Sequence, residues 1–253
     1  MHIETLLSPA DLPGLARRPL GQSVCVVFDI LRATSTFVTA LHHGAARIIP
    51  VSDIAEAVTY RKADAAILLA GERDGVRIQA AQSGAMDFDL GNSPREFTPE
   101  KIRGRTIVST TTNGTRALRA CTSAATVLAG SFLNLEATAR FLRDQPLSEV
   151  WLICAGTGEA AADEDILAAG AIIDQLRRLK TPAPILSPAS QTALHAYESA
   201  QAHLPAALGR AQNGRRLLGL PELRDDVAYC AQVNRFPLVA MLDAHGALVK
   251  MPQ

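Results

Sequence analysis

Short apolar runs alternate with amphipathic stretches along most of the chain, a pattern typical of repeated βα units. The apolar runs predict strands at Val24–Asp29, Arg47–Val51, Ala66–Ala70, Thr106–Ser109, Thr126–Ala129 and Val150–Cys154. Helical periodicity between them predicts helices at Asp53–Lys62, Thr115–Cys121, Leu135–Leu142 and Ile166–Lys180. Because strands that alternate with helices usually form parallel sheets covered on both faces, we expect an α/β fold of three α/β/α layers around a mostly parallel, mixed sheet.

The character of the sequence changes after Leu179, where proline and alanine become frequent. Linker and turn residues punctuate this part at Thr181–Pro184, Asn213-Gly214 and Gly219–Pro221. The apolar segments Phe236–Leu242 and Ala247–Met251, joined by a turn that contains Asp and Gly, predict an antiparallel hairpin. The C-terminal portion is therefore predicted to consist of helices and a hairpin.

These elements predict one α/β domain over residues 1–253. A candidate internal boundary lies near residue 181. It would separate a βα core, residues 1–180, from C-terminal helices and a hairpin, residues 181–253.

The first predicted strand is followed by a cluster of polar side chains. Asp29 comes at its carboxyl end, where open α/β sheets bind their ligands. Arg32 offers a planar guanidinium suited to phosphate or sulfonate oxygens. Thr34, Ser35 and Thr36 lie where the next helix should begin, beside unpaired backbone amides. This pattern predicts a site for a metal and a phosphate, and the alternative is a buried Asp29 that merely caps the helix.

Polar residues also follow two other predicted strands. Gly71-Glu72-Arg73 again places a carboxylate and a guanidinium directly after a buried segment, and the turn cluster Asp87–Pro94 adds Asn92 and Ser93. The fourth strand ends in a loop of hydroxyl and amide residues around one glycine, a composition able to enclose an anion. Its candidate ligands are Thr111, Thr112, Asn113, Gly114 and Thr115. For this loop alone, an ordinary Ser/Thr helix start is the alternative.

An acidic segment, Asp163-Glu164-Asp165, precedes the helix that follows the sixth strand. Acidic residues at a helix start also interact favourably with the helix dipole, so a structural role is the alternative. Mg²⁺ prefers oxygen ligands, commonly one or two carboxylates with water and substrate phosphate. Asp29, Glu72 and Asp165 are the candidate ligands, whereas no histidine has a partner at zinc-ligand spacing.

Composition excludes several classes of protein. Lys plus Arg equals Asp plus Glu at 25 each, so no overall field favours nucleic acid or an anionic membrane. Apolar runs are too short for a membrane helix, and the N-terminus does not resemble a secretion signal. The four widely spaced cysteines are typical of reduced core residues, so we expect a cytoplasmic protein. Apolar hairpin ends and an alanine-rich C-terminal helix would suit contact between copies in a homo-oligomer.

In this order, the polar segments resemble those of the 2-phosphosulfolactate phosphatase family. The shared segments are Asp29–Thr36, Gly71–Arg73, Phe88–Pro94, Ser109–Thr115, Glu164-Asp165 with Ala169-Gly170, and Asp226–Cys230. The resemblance implies a magnesium-dependent hydrolase that removes phosphate from 2-phospho-3-sulfolactate to give 3-sulfolactate, a step of coenzyme M synthesis. The chain departs from the family pattern in a longer segment between Arg73 and Phe88, and in Asn234 and Ala240 near its end.

The resemblance and the residues together suggest a mechanism. Magnesium held by Asp29, Glu72 and Asp165 would polarise the phosphoryl oxygens and position the nucleophile. Arg32 and the neighbouring hydroxyl groups would stabilise the charge of the transferring group, and Arg73 would bind the sulfonate or carboxylate. Alternatively, Asp29 attacks phosphorus directly and forms an aspartyl phosphate. The sequence leaves both routes open.

The sequence argues against two other classes of protein and leaves two further ones open. Haloacid-dehalogenase phosphatases need a second Asp two residues after the first, where this chain has Leu31. The chain lacks the phosphate-binding loop of nucleotide-dependent kinases. A non-catalytic protein that binds a phosphoanion, or a phosphatase for a different small phospho-acid, would use the same residues, and both remain open.

Overall fold

The computed structural model describes residues 1–15, 17–146, 148–179 and 181–251, which form an α/β fold. Its strands are β1 (His2–Leu6), β2 (Val24–Phe28), β3 (Arg47–Pro50), β4 (Leu68–Arg73), β5 (Val76–Arg77), β6 (Thr106–Thr110), β7 (Thr126–Gly130), β8 (Glu149–Cys154), β9 (Ile185–Leu186), β10 (Ala240–Leu242) and β11 (Leu248–Lys250). Its helices are α1 (Leu12–Leu15), α2 (Ala33–His42), α3 (Ile54–Ala63), α4 (Ala80–Ser83), α5 (Pro99–Ile102), α6 (Gly114–Ala120), α7 (Leu135–Asp144), α8 (Asp163–Leu179), α9 (Pro188–Ala200), α10 (Leu204–Arg210), α11 (Gln212–Leu218) and α12 (Asp225–Cys230).

Across the described ranges the strands pair into one mixed sheet, in the order β5-β4-β6-β3-β11-β10-β7-β2-β8-β1-β9. Most neighbours are parallel, and the antiparallel pairs are those made by β5, β10 and β11. The C-terminal hairpin β10–β11 lies in the middle of this sheet, between β3 and β7. The α/β class with a mostly parallel, mixed sheet is confirmed.

Alternate residues of the buried strands face two separate hydrophobic cores. On one face, Cys25 and Val27 of β2 pack in the same core as Phe37 and Leu41 of α2. On the other face, Val26 and its neighbours pack in the core that contains α7, α8 and α9. Both faces of β2 are therefore covered, which explains why its sequence is continuously apolar.

The sheet curves around α2, whose residues from Ala33 to Leu41 are all buried. In a flat sheet, the ends of β2 and β6 would lie roughly 24 Å apart, because four strands separate them. Yet a methyl group added at Gly114, just after β6, would come within 2.6 Å of the Oδ2 atom of Asp29, just after β2. The curvature thus brings the carboxyl ends of distant strands to one place.

Most predicted elements are found at their predicted positions, but β4 differs. It was predicted at Ala66–Ala70 and extends instead over Leu68–Arg73, because its last residues pair with β5 across a two-residue turn. Glu72 and Arg73 consequently lie within the strand rather than after it. The edge strand β9 and its neighbour β1 were not predicted.

Two other predictions need correction. Asn213-Gly214, predicted as a turn, lies in α11, where Gly214 allows close packing because a Cβ atom there would clash with the backbone oxygen of Leu208. The helix predicted from Ile166 begins earlier, at Asp163, so the three acidic residues form its first turn. Its predicted last residue, Lys180, lies outside the described residues.

The four cysteines are free and buried, as expected of core residues. None of the helices within the described residues has the length and apolar character needed to cross a membrane.

Candidate active site

A cavity of about 280 Å³ opens where the carboxyl ends of β2, β4, β6 and β8 converge. Six of the residues predicted for the site line it, namely Asp29, Arg32, Glu72, Asn92, Thr112 and Asn113. They come from four separate segments of the chain. The wall is completed by Leu31, Asp74, Gly75, Gly156, Thr157, Gly158, Asn213, Arg216 and Leu217.

Asp29 stands between the end of β2 and the start of α2. Its Oδ1 atom accepts a hydrogen bond from the backbone amide of Ala33, at 3.0 Å. Desolvation by burial raises the pKa of Asp29 to about 7 from 3.8, and the charges of Glu72 and Glu164 act in the same direction against the hydrogen bonds from Ala33 and Gly114. Both the cap and the site interpretations therefore apply to this carboxylate: it caps α2 and lines the cavity.

Glu72 is almost fully buried and is held at both oxygens. Its Oε1 atom accepts hydrogen bonds from the amide and the hydroxyl of Thr112, at 3.1 and 3.0 Å. Its Oε2 atom accepts the amide of Gly75 at 2.7 Å. The carboxylate is therefore fixed between the turn after β4 and the loop after β6.

The turn after β4 consists of Asp74 and Gly75, both with positive φ, at 56° and 76°. Two such residues between antiparallel strands are typical of a type I′ hairpin. Besides its bond to Glu72, Gly75 accepts a hydrogen bond from Nη2 of Arg32 at 2.7 Å through its carbonyl oxygen. This turn therefore links a carboxylate and a guanidinium of the site.

Arg32 is 3% exposed and forms an ion pair with Asp226 of α12, which is fully buried, at 2.8 Å. The other carboxylate oxygen of Asp226 accepts the hydroxyl of Ser93 at 2.7 Å. A desolvated guanidinium needs such partners, because an unpaired buried charge is strongly destabilising. Ser93 therefore supports Arg32 through Asp226 and does not line the cavity.

The hydroxyl groups after Asp29 lie away from the cavity wall. Thr34 donates to the carbonyl oxygen of Asp29, Ser35 to that of Ile30 and Thr36 to that of Asn92, at 2.8 to 3.0 Å. All three side chains are fully buried. Their observed contacts hold the start of α2 against the strand ends.

The loop after β6 divides into two parts. Thr112 and Asn113 line the cavity. The side-chain amide of Asn113 donates through Nδ2 to the carbonyl oxygens of Ala155 and Gly158, at 2.8 and 3.0 Å. Thr111 and Thr115 bind each other, with the Thr111 hydroxyl accepting the Thr115 amide at 3.2 Å. Gly114 lies behind Asp29, where there is no room for a side chain.

Arg73 and Asp165 also lie off the cavity wall. Arg73 donates to the carbonyl oxygen of Glu72 and to the Thr110 hydroxyl, at 2.7 and 3.1 Å. Asp165 is buried beneath the site, where its two oxygens accept the amides of Ile30 and Gly156 at 2.8 and 2.9 Å. Burial, with the charges of Glu164 and Asp29, raises the pKa of Asp165 well above its usual range.

Several wall residues were not predicted from the sequence. The Asp74-Gly75 dipeptide is a recognisable hairpin signal, and it would have located the turn between Glu72 and Arg32. Asn213 and Arg216 carried no comparable signal, because nothing in their local sequence shows that α11 packs beside strand ends far away in the chain. Asp226 lies in the segment Asp226–Cys230, which resembles the family, but the sequence predicted no role for it.

The carboxylates provide a test of whether the site suits a metal. Within the described residues, no three His, Cys, Asp or Glu side chains are grouped as a metal cluster. Of the three predicted ligands, Asp29 and Glu72 line the cavity whereas Asp165 does not, and the Glu72 charge contributes to the raised pKa of Asp29. Two oxygen ligands that repel each other fit Mg²⁺, which usually takes its remaining ligands from water and substrate phosphate.

Comparison with known proteins identifies related sequences over almost the whole chain. The family model described as 2-phosphosulpholactate phosphatase matches residues 12–245. A protein of Caldanaerobacter subterraneus subsp. tengcongensis, named a probable 2-phosphosulfolactate phosphatase, is 40% identical over 230 residues, covering 89% of this chain and 90% of the relative. Similarly named proteins of Synechococcus sp. (strain JA-3-3Ab) and Carboxydothermus hydrogenoformans are 37% and 38% identical, covering 98% and 94% of this chain and 96% and 92% of the relatives.

Proposed function

The chain belongs to the 2-phosphosulpholactate phosphatase family, a family of phosphate monoester hydrolases, and from this premise we propose that it hydrolyses 2-phospho-3-sulfolactate to 3-sulfolactate and phosphate with Mg²⁺. The observation that carries the proposal is the convergence of Asp29, Arg32 and Glu72 on one cavity. Asp29 and Arg32 come from one segment and Glu72 from another, and both segments resemble those of the family. Carboxylates and a guanidinium together suit a cation and a phosphate.

Asp29 and Glu72 would hold the metal, and Asp165 would act from beneath the site. When bound, Mg²⁺ would neutralise phosphoryl charge and help to orient the attacking oxygen. Glu72 is already immobilised by Thr112 and Gly75, so little rearrangement is needed to keep its carboxylate in the cavity. Asp165 binds the amides on either side of the site and would keep the Gly156 loop against the end of β2.

Arg32 would stabilise the negative charge of the transferring phosphoryl group. Its guanidinium is fixed by Asp226 on one side and by the Gly75 carbonyl oxygen on the other. Such a preorganised cation acts on developing charge without having to reorient during the reaction. The side-chain amide of Asn113 is fixed in a similar way by two carbonyl oxygens, and these bonds position the loop between β6 and α6.

Asp29 has two possible chemical roles. As the nucleophile it would attack phosphorus and release sulfolactate, and water would then cleave the aspartyl phosphate. Alternatively it would bind the metal and orient a water molecule that attacks phosphorus directly. Rapid quench of the reaction followed by peptide mass spectrometry separates the two routes, because only the first transfers a phosphoryl group to the peptide containing Asp29.

The proposed activity is tested by measuring phosphate release from a set of small phosphorylated acids, including 2-phosphosulfolactate, with Mg²⁺ and with EDTA. We expect Mg²⁺-dependent turnover that is highest on 2-phosphosulfolactate. Turnover should fall more than about 100-fold in Asp29→Asn, since its carboxylate has a role in both routes. Absence of turnover with every metal would instead support a protein that only binds a phosphoanion.

A further inference from the structure

The cavity wall carries two guanidinium groups in very different environments. Arg32 is 3% exposed and is held by Asp226 and Gly75. Arg216, on α11, is 45% exposed, and its ion-pair partner is Asp74, 3.8 Å away and 98% exposed. Because an exposed pair at that distance contributes little, a bound anion can replace Asp74 at Arg216 at small cost.

Arg216 is nevertheless on a well-anchored helix. Asn213, one turn earlier on α11, donates at 2.6 Å both to the hydroxyl of Thr157 and to the carboxylate of Glu164. Residues three apart in a helix share a face, so anchoring Asn213 at the cavity also places Arg216 there. The close approach of Gly214 to Leu208 further fixes α11 against α10.

The proposed substrate has more negative charge than the phosphate-binding residues account for. Its sulfonate lies on the carbon next to the one that carries the phosphate ester, and three equivalent oxygens make it a good partner for a guanidinium. Arg73, the cation predicted for this group, contacts the strand ends and lies off the cavity wall. Arg216 is the wall guanidinium that is not committed to a buried carboxylate.

We propose that Arg216 binds the sulfonate group of the substrate and so determines the preference for 2-phosphosulfolactate over phospho-acids without a sulfonate. This proposal rests on the proposed function. It makes α11, from the C-terminal portion of the chain, the specificity element of a site whose metal-binding and phosphate-binding residues come from the preceding βα units.

The test compares two substrates in three variants of the protein. 2-Phospholactate keeps the phosphate and the carboxylate of 2-phosphosulfolactate but has no sulfonate. In Arg216→Ala we expect KM for 2-phosphosulfolactate to rise about 10- to 100-fold with kcat nearly unchanged, the range for losing a charged hydrogen bond. KM for 2-phospholactate should stay within about 2-fold of the parent. Arg216→Lys should recover part of the loss, because it keeps the charge but not the planar pair of donors.

The matched control is Arg215→Ala, which removes an exposed arginine from the same helix without touching the cavity wall. It should keep the parent KM for both substrates. The assignment would be overturned if Arg216→Ala raised KM equally for both substrates, or for neither. Equal loss for the two substrates would assign Arg216 to a group that they share, the carboxylate or the phosphate.

Binding of the product separates this proposal from the proposed function. Calorimetry with 3-sulfolactate and with lactate, in the presence of Mg²⁺, requires no turnover. We expect the parent to bind 3-sulfolactate more tightly than lactate, and Arg216→Ala to lose that difference. If the parent binds 3-sulfolactate but releases no phosphate, the proposed function fails while the role of Arg216 is still tested. If Arg216→Ala binds 3-sulfolactate as the parent does, the role of Arg216 fails alone.

Discussion

Asp29 illustrates how one carboxylate can serve a site at the expense of stability. Burial and the nearby Glu72 raise its pKa to about 7, from an ordinary value of 3.8. A folded-state pKa above the unfolded one means that the folded chain binds a proton more tightly between these values. The metal-free protein should therefore lose stability as pH rises from about 4 to about 7, where the buried charge appears.

Asp29→Asn removes this titration. The free energy of unfolding of the variant should therefore change less with pH than that of the parent. The difference in free energy of unfolding, variant minus parent, should become more positive by roughly 2 to 4 kcal/mol between pH 4 and pH 8. Urea unfolding at several pH values, in EDTA, measures the difference. Asp11→Asn, at an exposed carboxylate, should follow the parent curve. Parallel curves for Asp29→Asn and the parent would contradict the proposed cost of the Asp29 charge.

Glu72→Gln should weaken metal binding more than phosphate binding. The substitution keeps an oxygen for the Thr112 amide but places an amide group where Oε2 now accepts from Gly75. We expect Kd for Mg²⁺ to rise at least about 10-fold, because one charged ligand is lost. Titration of Mg²⁺ against thermal stability provides the measurement. Glu159→Gln, at an exposed carboxylate paired with Arg116, is the control, and an unchanged titration for Glu72→Gln would exclude it as a ligand.

At the scale of secondary structure, the first residue of α6, Gly114, packs tightly against Asp29. A Cβ atom at Gly114 would lie 2.6 Å from Asp29 Oδ2 and 2.7 Å from the Ala33 side chain. Gly114→Ala should therefore displace Asp29, lower turnover more than about 10-fold and reduce stability by about 1 to 3 kcal/mol.

Gly21→Ala is the matched control for that substitution, because its Cβ atom would meet nothing within 4 Å. Its turnover should equal that of the parent. Parent-like turnover in Gly114→Ala would show that Asp29 and α6 are less closely fitted than the contact distances indicate.

The length and burial of each strand explain whether the sequence could predict it. β2 is buried on both faces, so its unbroken apolar run was a strong signal. β1 has only five residues, without a regular alternation of burial, and β9 has two residues, so neither produced a clear pattern. Asp29, Arg32 and Glu72 end or follow predicted strands, so local sequence could single them out, and all three line the cavity. The contribution of α11 depends on tertiary packing, which local periodicity does not report.

At the scale of the whole molecule, the C-terminal hairpin joins the two sides of the sheet. β11 pairs with β3, and β10 pairs with β7, so β4 and β6 connect to β2 and β8 only through these short strands in the observed strand order. Glu72 and Asp29 lie on opposite sides of this junction. The position of Glu72 relative to Asp29 therefore depends on β10 and β11, although neither strand contacts the site.

Leu248 of β11 is fully buried in the core around α2. Leu248→Ala should lower the free energy of unfolding by about 2 to 5 kcal/mol, the usual range for deleting a buried leucine. Urea unfolding followed by circular dichroism measures it. Val249→Ala, on the partly exposed neighbouring residue, should cost less than half as much. Equal effects of the two substitutions would contradict a central role for the buried face of the hairpin.

The central position of the hairpin also has a consequence for synthesis. Ribosomes make β10 and β11 after all the other strands of the described sheet, so the edges of β3 and β7 stay unpaired until Lys250 has been added to the chain. Exposed strand edges on a nascent chain are prone to aggregation. Newly made molecules should therefore depend on chaperones until β10 and β11 have emerged from the ribosomal exit tunnel, and catalytic competence should begin only after that.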